Sequence, residues 1–214
     1  MSRMRFKIDF HVHTNNSPDA FGSLNEISYF ARKRSIDAVV IADHEKYTID
    51  EVKEVDSILF VPAIELRTLV GHVICLLPKK QFDPISAFDD PVGFSHNAGG
   101  FAIWVHPCDL SLSKRRKGTI KPDAIEVFNS GSIPFKSSHV KSLKLAESLC
   151  LPKVAGSDAH LPKDVGLCYV EIEASSLSQA IAGILKGEGS PYGRPRPTID
   201  LLQLIMARIM KRRS

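Results

Sequence analysis

Asp9-Phe10-His11-Val12-His13-Thr14 closes the first apolar run of the chain, and its reading decides the rest. Residues 5–10 carry the Ile, the Phe and the near-alternation of a strand. His11 and His13 are two apart, so in a strand both imidazoles leave the same face. Two adjacent imidazoles, joined by carboxylates from elsewhere, suit a divalent transition metal. The pair alone also fits a plainer arrangement, with one ring on a backbone group and the other in water.

Composition narrows the class. The chain has 214 residues, 43% apolar and 24% charged, the balance of a globular protein rather than a disordered or membrane one. No apolar stretch approaches the ~20 residues of a bilayer span. The basic opening, residues 1–5, runs into a strand without the apolar core and cleavage site of a signal peptide, so a cytoplasmic location is expected. Cys75, Cys108, Cys150 and Cys168 are far apart and form no Cys-x-x-Cys pair. They read as reduced residues, mostly in the core. Net charge is +4, from Lys114-Arg115-Arg116-Lys117 and from Arg208, Lys211, Arg212 and Arg213. Such runs suit an anionic partner, or else a solvated loop and a helix end.

Working outward, residues 14–20 form a loop. Ser23-Leu24-Asn25-Glu26 is a capping box that opens a helix with Leu24, Ile27 and Ala31 inward. Residues 37–42 are a strand buried on both faces, ending in Asp43-His44. Thr48-Ile49-Asp50-Glu51 reads as a second capping box and a short helix. Strands are expected at 58–64 (ending in Glu65), 73–77 (preceded by His72), 101–105 (ending in His106), 124–128 (carrying Glu126, ending near Asn129), 153–156 and 168–172. Val140, Leu143, Ala146 and Leu149 mark a helix face, and Ser176-Leu177-Ser178-Gln179 caps another helix. Residues 198–214 form a C-terminal amphipathic helix with Leu201, Leu202, Ile205 and Ile209 on its apolar side. This alternation predicts a single α/β domain with a parallel sheet, a compact (β/α) barrel or an open doubly wound sheet.

The polar residues fall in register with the strands. Six of the eight histidines (His11, His13, His44, His72, His106, His160) lie at or near strand ends, all but His72 at C-terminal ends. Asp19, Asp43, Glu65 and Asp158 lie beside them, while His96 and His139 stand apart. In parallel α/β folds these ends converge on the face that carries the active site. A cluster this rich can hold more than one ion, and two ions about 3.5–4 Å apart serve phosphoryl transfer to an activated water.

These residues resemble the PHP family, named for polymerase and histidinol phosphatase. The likeness rests on His11-Val12-His13-Thr14 with Ser17-Pro18-Asp19, then Ala42-Asp43-His44, Pro62-Ala63-Ile64-Glu65, His106-Pro107 and Ser157-Asp158-Ala159-His160, in the family's order across residues 7–172. The resemblance implies a distorted (β/α)7 barrel with two or three divalent ions, Mn²⁺, Zn²⁺ or Fe²⁺. It assigns one ion to His11, His13, Glu65 and Asp158. Glu65 would bridge to a second ion with His106, and His72 is a further candidate metal ligand. Asp19, at a position where some relatives carry His, joins His44 and His160 for the third. Asp43, His106 and His160 are the expected catalytic residues, Asp43 by orienting a ligand or a water. Glu126 and Asn129 face the substrate or support the ligands. Arg194 and Arg196 are candidate phosphate contacts. The expected activity is metal-dependent hydrolysis of a phosphomonoester or small nucleotide-type substrate. A nuclease acting on DNA or RNA ends is the alternative. A non-catalytic barrel that binds a protein or RNA partner fits poorly with so complete a ligand set.

Overall fold

A computed structural model of the chain describes residues 4–76, 84–110 and 120–211. The basic run at 114–117, Arg212 and Arg213 lie outside the described residues. The first apolar run is β1 (Met4–Val12), and Ser23 caps α1 (Leu24–Lys33) in a complete box with Glu26. Then follow β2 (Ala38–His44), β3 (Lys53–Val55), β4 (Ile58–Thr68), β5 (Gly71–Leu76), α2 (Pro84–Asp89), α3 (Pro91–Asn97), β6 (Phe101–Trp104) and β7 (Ala124–Asn129). The chain continues through α4 (Phe135–Ser148), β8 (Lys153–Gly156), a 3₁₀ turn (Pro162–Asp164), β9 (Cys168–Ala174), α5 (Leu177–Ile184), β10 (Ser190–Gly193) and α6 (Thr198–Lys211).

One sheet runs β10-β9-β1-β2-β4-β5-β6-β7-β8, with β3 on β4. It curls until the segment after β8 meets β1. Asp158 N–H donates to the His11 carbonyl at 2.7 Å, and His13 N–H to that of Ala159 at 3.0 Å. The result is a nearly closed, single-domain α/β barrel. Phe6, Ile8 and Phe10 of β1 fill its interior with Val40, Ala42, Val61, Ala63, Ile103 and Val154, and Ala180 and Ile184 of α5 join them. Val39 and Ile41 face outward onto Ile27 and Ala31 of α1.

Three expectations need correction. The sheet is mixed: β4–β5, β5–β6, β1–β9 and β9–β10 are antiparallel. Only Leu69 and Val70 separate β4 from β5, and so short a link makes a hairpin, never a parallel crossover. The hairpin returns His72, at the start of β5, to the end of the barrel where β1, β2 and β4 finish. No helix begins at Thr48, because its hydroxyl, the expected cap, donates to Asp43 Oδ2. The inner face of α4 is Ser138, Ser142 and Ala146, leaving Val140 and Leu149 exposed. The C-terminal helix, α6, buries Leu204 and leaves Leu202, Ile205 and Ile209 exposed. Its inward side also carries polar anchors, described below.

Candidate metal centre

A β-bulge aims the His-x-His pair. From Asp9 to Val12 β1 advances three residues while β2 advances two, from Val39 to Ile41. The extra residue reverses the alternation. Phe6, Ile8 and Phe10 point inward, but Val12 packs outward with Ile41, so His11 and His13 take over the inward face at the barrel mouth. Both are fully buried.

Hydrogen bonds fix the tautomers. Glu126 Oε1 only accepts, so the 3.0 Å contact is donated by His11 Nδ1–H. Asp43 Oδ1 accepts from Ser17 Oγ at 2.6 Å, so Ser17 in turn accepts from His13 Nδ1–H at 3.2 Å. His160 Nδ1–H donates to the Asp158 carbonyl at 3.0 Å. In all three rings the other nitrogen, Nε2, is left to face the cluster. This arrangement typifies metal-binding imidazoles whose far nitrogen is held by a carboxylate or carbonyl.

Glu65 is the hub. Its Oε1 lies 2.9 Å from His72 Nδ1, 3.2 Å from His106 Nε2 and 3.6 Å from His11 Nε2. Its Oε2 lies 2.7 Å from His44 Nδ1 and 3.5 Å from His13 Nε2. Asp158 Oδ1 lies 3.2 Å from His13 Nε2 and 3.5 Å from His11 Nε2. Asp19 reaches His160 Nε2 at 3.3 Å and His44 Nε2 at 3.5 Å. Four overlapping groups have atoms close enough to share an ion: His11/His13/Glu65, His11/His106/Asp158, Glu65/His72/His106 and His13/His44/His160.

The donor set fits divalent ions. His11 Nε2 and His13 Nε2 are 3.1 Å apart, near the ~3.4 Å of two nitrogens each about 2.1 Å from one tetrahedral ion. Glu65 Oε2 and Asp19 Oδ1 are buried with no hydrogen bond of acceptable geometry, as oxygens awaiting a cation would be. His106 and Asp158 hold positive φ angles of 32° and 52°, an uncommon backbone for non-glycine residues that gathers at functional sites.

Comparison with known proteins agrees. A family model described as PHP-associated (PHP_C) matches residues 136–188, beside the five motifs in order. The matched segment and the order of the motifs support a PHP-family protein. It is 26% identical over 183 residues to the uncharacterized protein MJ0417 of Methanocaldococcus jannaschii, spanning 81% of this chain and 73% of that one. Its fold matches a two-domain protein of Bacteroides vulgatus containing a PHP-like metal-dependent phosphoesterase (TM-score 0.62, 19% identity, 96% of this chain and 70% of that one). It also matches the lesion-specific endonuclease PfuEndoQ of Pyrococcus furiosus (TM-score 0.60, 16% identity, 88% and 57%).

Electrostatics follow from packing so many ionisable groups into this cluster. Burial alone would raise Glu65, but the His11 charge and the close approach of His106, His11 and His44 hold it well below the ordinary carboxylate range. Asp158 is likewise held down against burial, by His11, His13 and His160. Burial opposes the charged form of His11, yet Asp158, Glu126 and Glu65 raise it well above the usual histidine value. His44 and His106 are raised against burial, chiefly by Glu65. Burial, then the neighbouring His160, pulls His13 down to about 4.

Other expected site residues lie around the cluster rather than in it. Both Asp43 oxygens are occupied, by Thr14 N–H (2.7 Å), Thr14 Oγ1 (2.6 Å), Ser17 Oγ and Thr48 Oγ1. That makes it an organiser of the loop after β1 rather than a group facing the ions. Glu126 accepts from His11, from His106 N–H at 2.7 Å and from Asn129 Nδ2 at 2.9 Å, so the pair backs the histidines instead of facing outward. Arg196 is buried, with Nε on Asp164 Oδ2 and Nη2 on the Asp158 carbonyl, both at 2.7 Å. It pins the loop that carries Asp158. Arg194 is exposed, its N–H donates to the Leu167 carbonyl, and its charge acts on Arg34. His96 pairs with Asp123, and His139 stacks on Phe128. The sequence reading missed Asp9, whose buried carboxylate accepts from the N–H groups of His11, Ser157 and Gly166 and ties β1 to the loops on either side of the 3₁₀ turn. An Asp inside an apolar run was the available signal. Among the described residues no helix is long and apolar enough to cross a membrane.

Proposed function

We propose that this chain is a metal-dependent phosphoesterase that hydrolyses a phosphomonoester or a small nucleotide-type substrate. The observation that carries the reading is the division of labour at Glu65, whose two oxygens face two different sets of histidines. A carboxylate so placed suits a bridge between ions. On this reading His11, His13, Glu65 and Asp158 hold one divalent ion, and Glu65, His72 and His106 a second. Asp19, His44 and His160 hold a third, with Mn²⁺, Zn²⁺ and Fe²⁺ all compatible with the donors. Bound ions would neutralise phosphate oxygens and make a water acidic enough to attack phosphorus at neutral pH. The chain's own part is orientation. Glu126, Ser17 and the Asp158 carbonyl fix three imidazoles with Nε2 toward the substrate side, and Asp43 acts through Ser17 as a positioning residue. His106 and His160 border the cluster on opposite sides and are the proposed residues nearest the reacting ester.

The nuclease alternative draws on the fold shared with the Pyrococcus furiosus endonuclease. Against it, three of the described basic side chains near the site are already engaged: Arg196 with Asp164, Arg208 with Asp19, Lys211 with backbone carbonyls. The test is phosphate release, with Mn²⁺ or with chelator, across sugar phosphates, amino-alcohol phosphates, mononucleotides, bisphosphorylated nucleotides and short oligonucleotides. Metal-dependent turnover of one small-molecule class supports the proposal. Turnover confined to oligonucleotides, with a steep salt dependence, overturns it in favour of the nuclease.

A further inference from the structure

The C-terminal helix reaches into the metal centre. Arg208, in the last turn of α6, donates from Nη2 to Asp19 Oδ2 at 2.8 Å and from Nε to the Asp19 carbonyl at 3.2 Å. One turn on, Lys211 Nζ donates to the carbonyls of Ser17 (3.4 Å) and Ala20 (3.2 Å) and lies 5.0 Å from the Phe21 ring centroid. Near the other end of α6, Lys163 from the 3₁₀ turn binds Asp200 at 2.5 Å and also Gln203. The helix is therefore fixed at both ends over the loop that carries Asp19, 189 residues away in sequence. These anchors lie on the face that also buries Leu204, with Leu201, Ala207 and Arg208 half-buried beside it.

We propose that Arg208 is a positioning residue of the metal centre, holding Asp19 for the ion shared with His44 and His160. The inference rests on the metal-centre reading above. Asp19 sits on an irregular loop, where a carboxylate would otherwise sample several rotamers. The Arg208 guanidinium grips the residue at two atoms, its own carbonyl and Oδ2, a planar fork that fixes direction as well as distance. The remaining oxygen, Oδ1, has no hydrogen bond of acceptable geometry and faces His44 Nε2 at 3.5 Å. Oδ2, which the arginine holds, also lies 3.3 Å from His160 Nε2, so the arginine fixes the carboxylate between the two histidines. A partner that orients a ligand from behind typically contributes 10–100-fold to metal affinity. His11, His13 and His160 are oriented from within the barrel, by Glu126, Ser17 and the Asp158 carbonyl. Among the described residues Asp19 is the candidate ligand whose own carboxylate a side chain of α6 holds, so this ion is the one whose affinity the helix sets.

The experiment is a Mn²⁺ titration followed by calorimetry and by electron paramagnetic resonance, on wild type, Arg208→Ala, Arg208→Lys, Asp19→Ala and the double variant. In wild type, binding of the full set of ions is the precondition; if none binds, it is the metal-centre reading that fails. With ions bound, Arg208→Ala should weaken one ion by about tenfold or more and leave the others unchanged, with Arg208→Lys intermediate. In the Asp19→Ala background Arg208→Ala should have no further effect on ion binding. Uniform weakening of all ions, tighter binding of the weakest one, no change at all, or an undiminished effect in the Asp19→Ala background would each overturn the proposal. Melting of the chelator-treated proteins separates a local effect from general unfolding: a lowered midpoint with unchanged ion stoichiometry and affinity also overturns it.

Discussion

Glu126 stands directly behind His11: its Oε1 receives His11 Nδ1–H at 3.0 Å, and both side chains are buried. The same carboxylate takes the backbone N–H of His106 through Oε2 at 2.7 Å. One residue therefore sets the tautomer of one candidate ligand and the backbone placement of another. Glu126→Gln keeps the volume but replaces an acceptor with an amide group that donates. The expected result is a 10–100-fold loss of metal affinity with the fold retained. It is measured by titrating the variant with Mn²⁺ and following circular dichroism. Unchanged affinity would mean that the His11 ring is held by other contacts.

Ser17 relays the Asp43 charge to His13, and it also accepts the His44 backbone N–H at 3.1 Å. Ser17→Ala cuts that relay without touching a candidate ligand, so His13 Nδ1–H loses its acceptor and the ring is free to take the other tautomer. Metal affinity should fall by at least tenfold, in contrast to His13→Ala, which should abolish bound ion and hydrolysis together. Metal analysis of dialysed protein alongside phosphate release distinguishes the two. Retention of both ion and activity in His13→Ala would refute the ligand assignment itself.

Gly156 shows how tightly β8 is laid against the histidines. A Cβ there would collide with His11 Cβ and come 2.7 Å from Glu126 Oε1. Gly156→Ala should lower stability by about 1–3 kcal/mol, as overpacking of a filled core does, and should weaken ion binding because the group displaced is His11. Chemical denaturation gives the first effect and metal titration the second. A variant that melts like wild type and binds ions normally would show that β1 can yield at this point.

Much of this was legible in the sequence because polar residues that end apolar runs are rare and must be explained. Asp43-His44 after residues 37–42 and His106 after residues 101–105 needed no structure to be assigned to one end of a sheet. What the sequence concealed depended on distant partners. The β1 bulge that re-aims His11 and His13 is defined only against β2. The hairpin that returns His72 hinges on two residues between strands that both read as buried. Thr48 looked like a helix cap because Asp43, the partner that claims its hydroxyl, is irrelevant to local propensity. The apolar stripe of α6 did not say what the helix packs against, because the Arg208 and Lys211 contacts to residues 17–20 that orient it join positions far apart in sequence.

The proton inventory of the cluster yields a prediction whose sign depends on the ions. His11, His44 and His106 have raised values in the folded protein. Their charged forms stabilise the fold fully below the ordinary histidine range, and that contribution is lost as pH rises through the raised values. Glu65, Asp158 and Asp19 are depressed. Their contribution is present above the ordinary carboxylate range and is lost as pH falls through the depressed values. Chelator-treated protein should therefore lose stability on the alkaline side of neutrality as well as in strong acid. Ion binding requires neutral imidazoles, so it displaces protons and tightens with pH. The loaded protein should hold its stability where the chelated protein sheds it, and the gap between their melting temperatures should widen between about pH 6 and pH 8.5. Calorimetry in buffers of different ionisation enthalpy should register proton release on ion binding at neutral pH. A gap that stays flat or narrows with rising pH, or binding without proton release, would show that the histidines are already neutral before an ion arrives and that the carboxylates do not charge them.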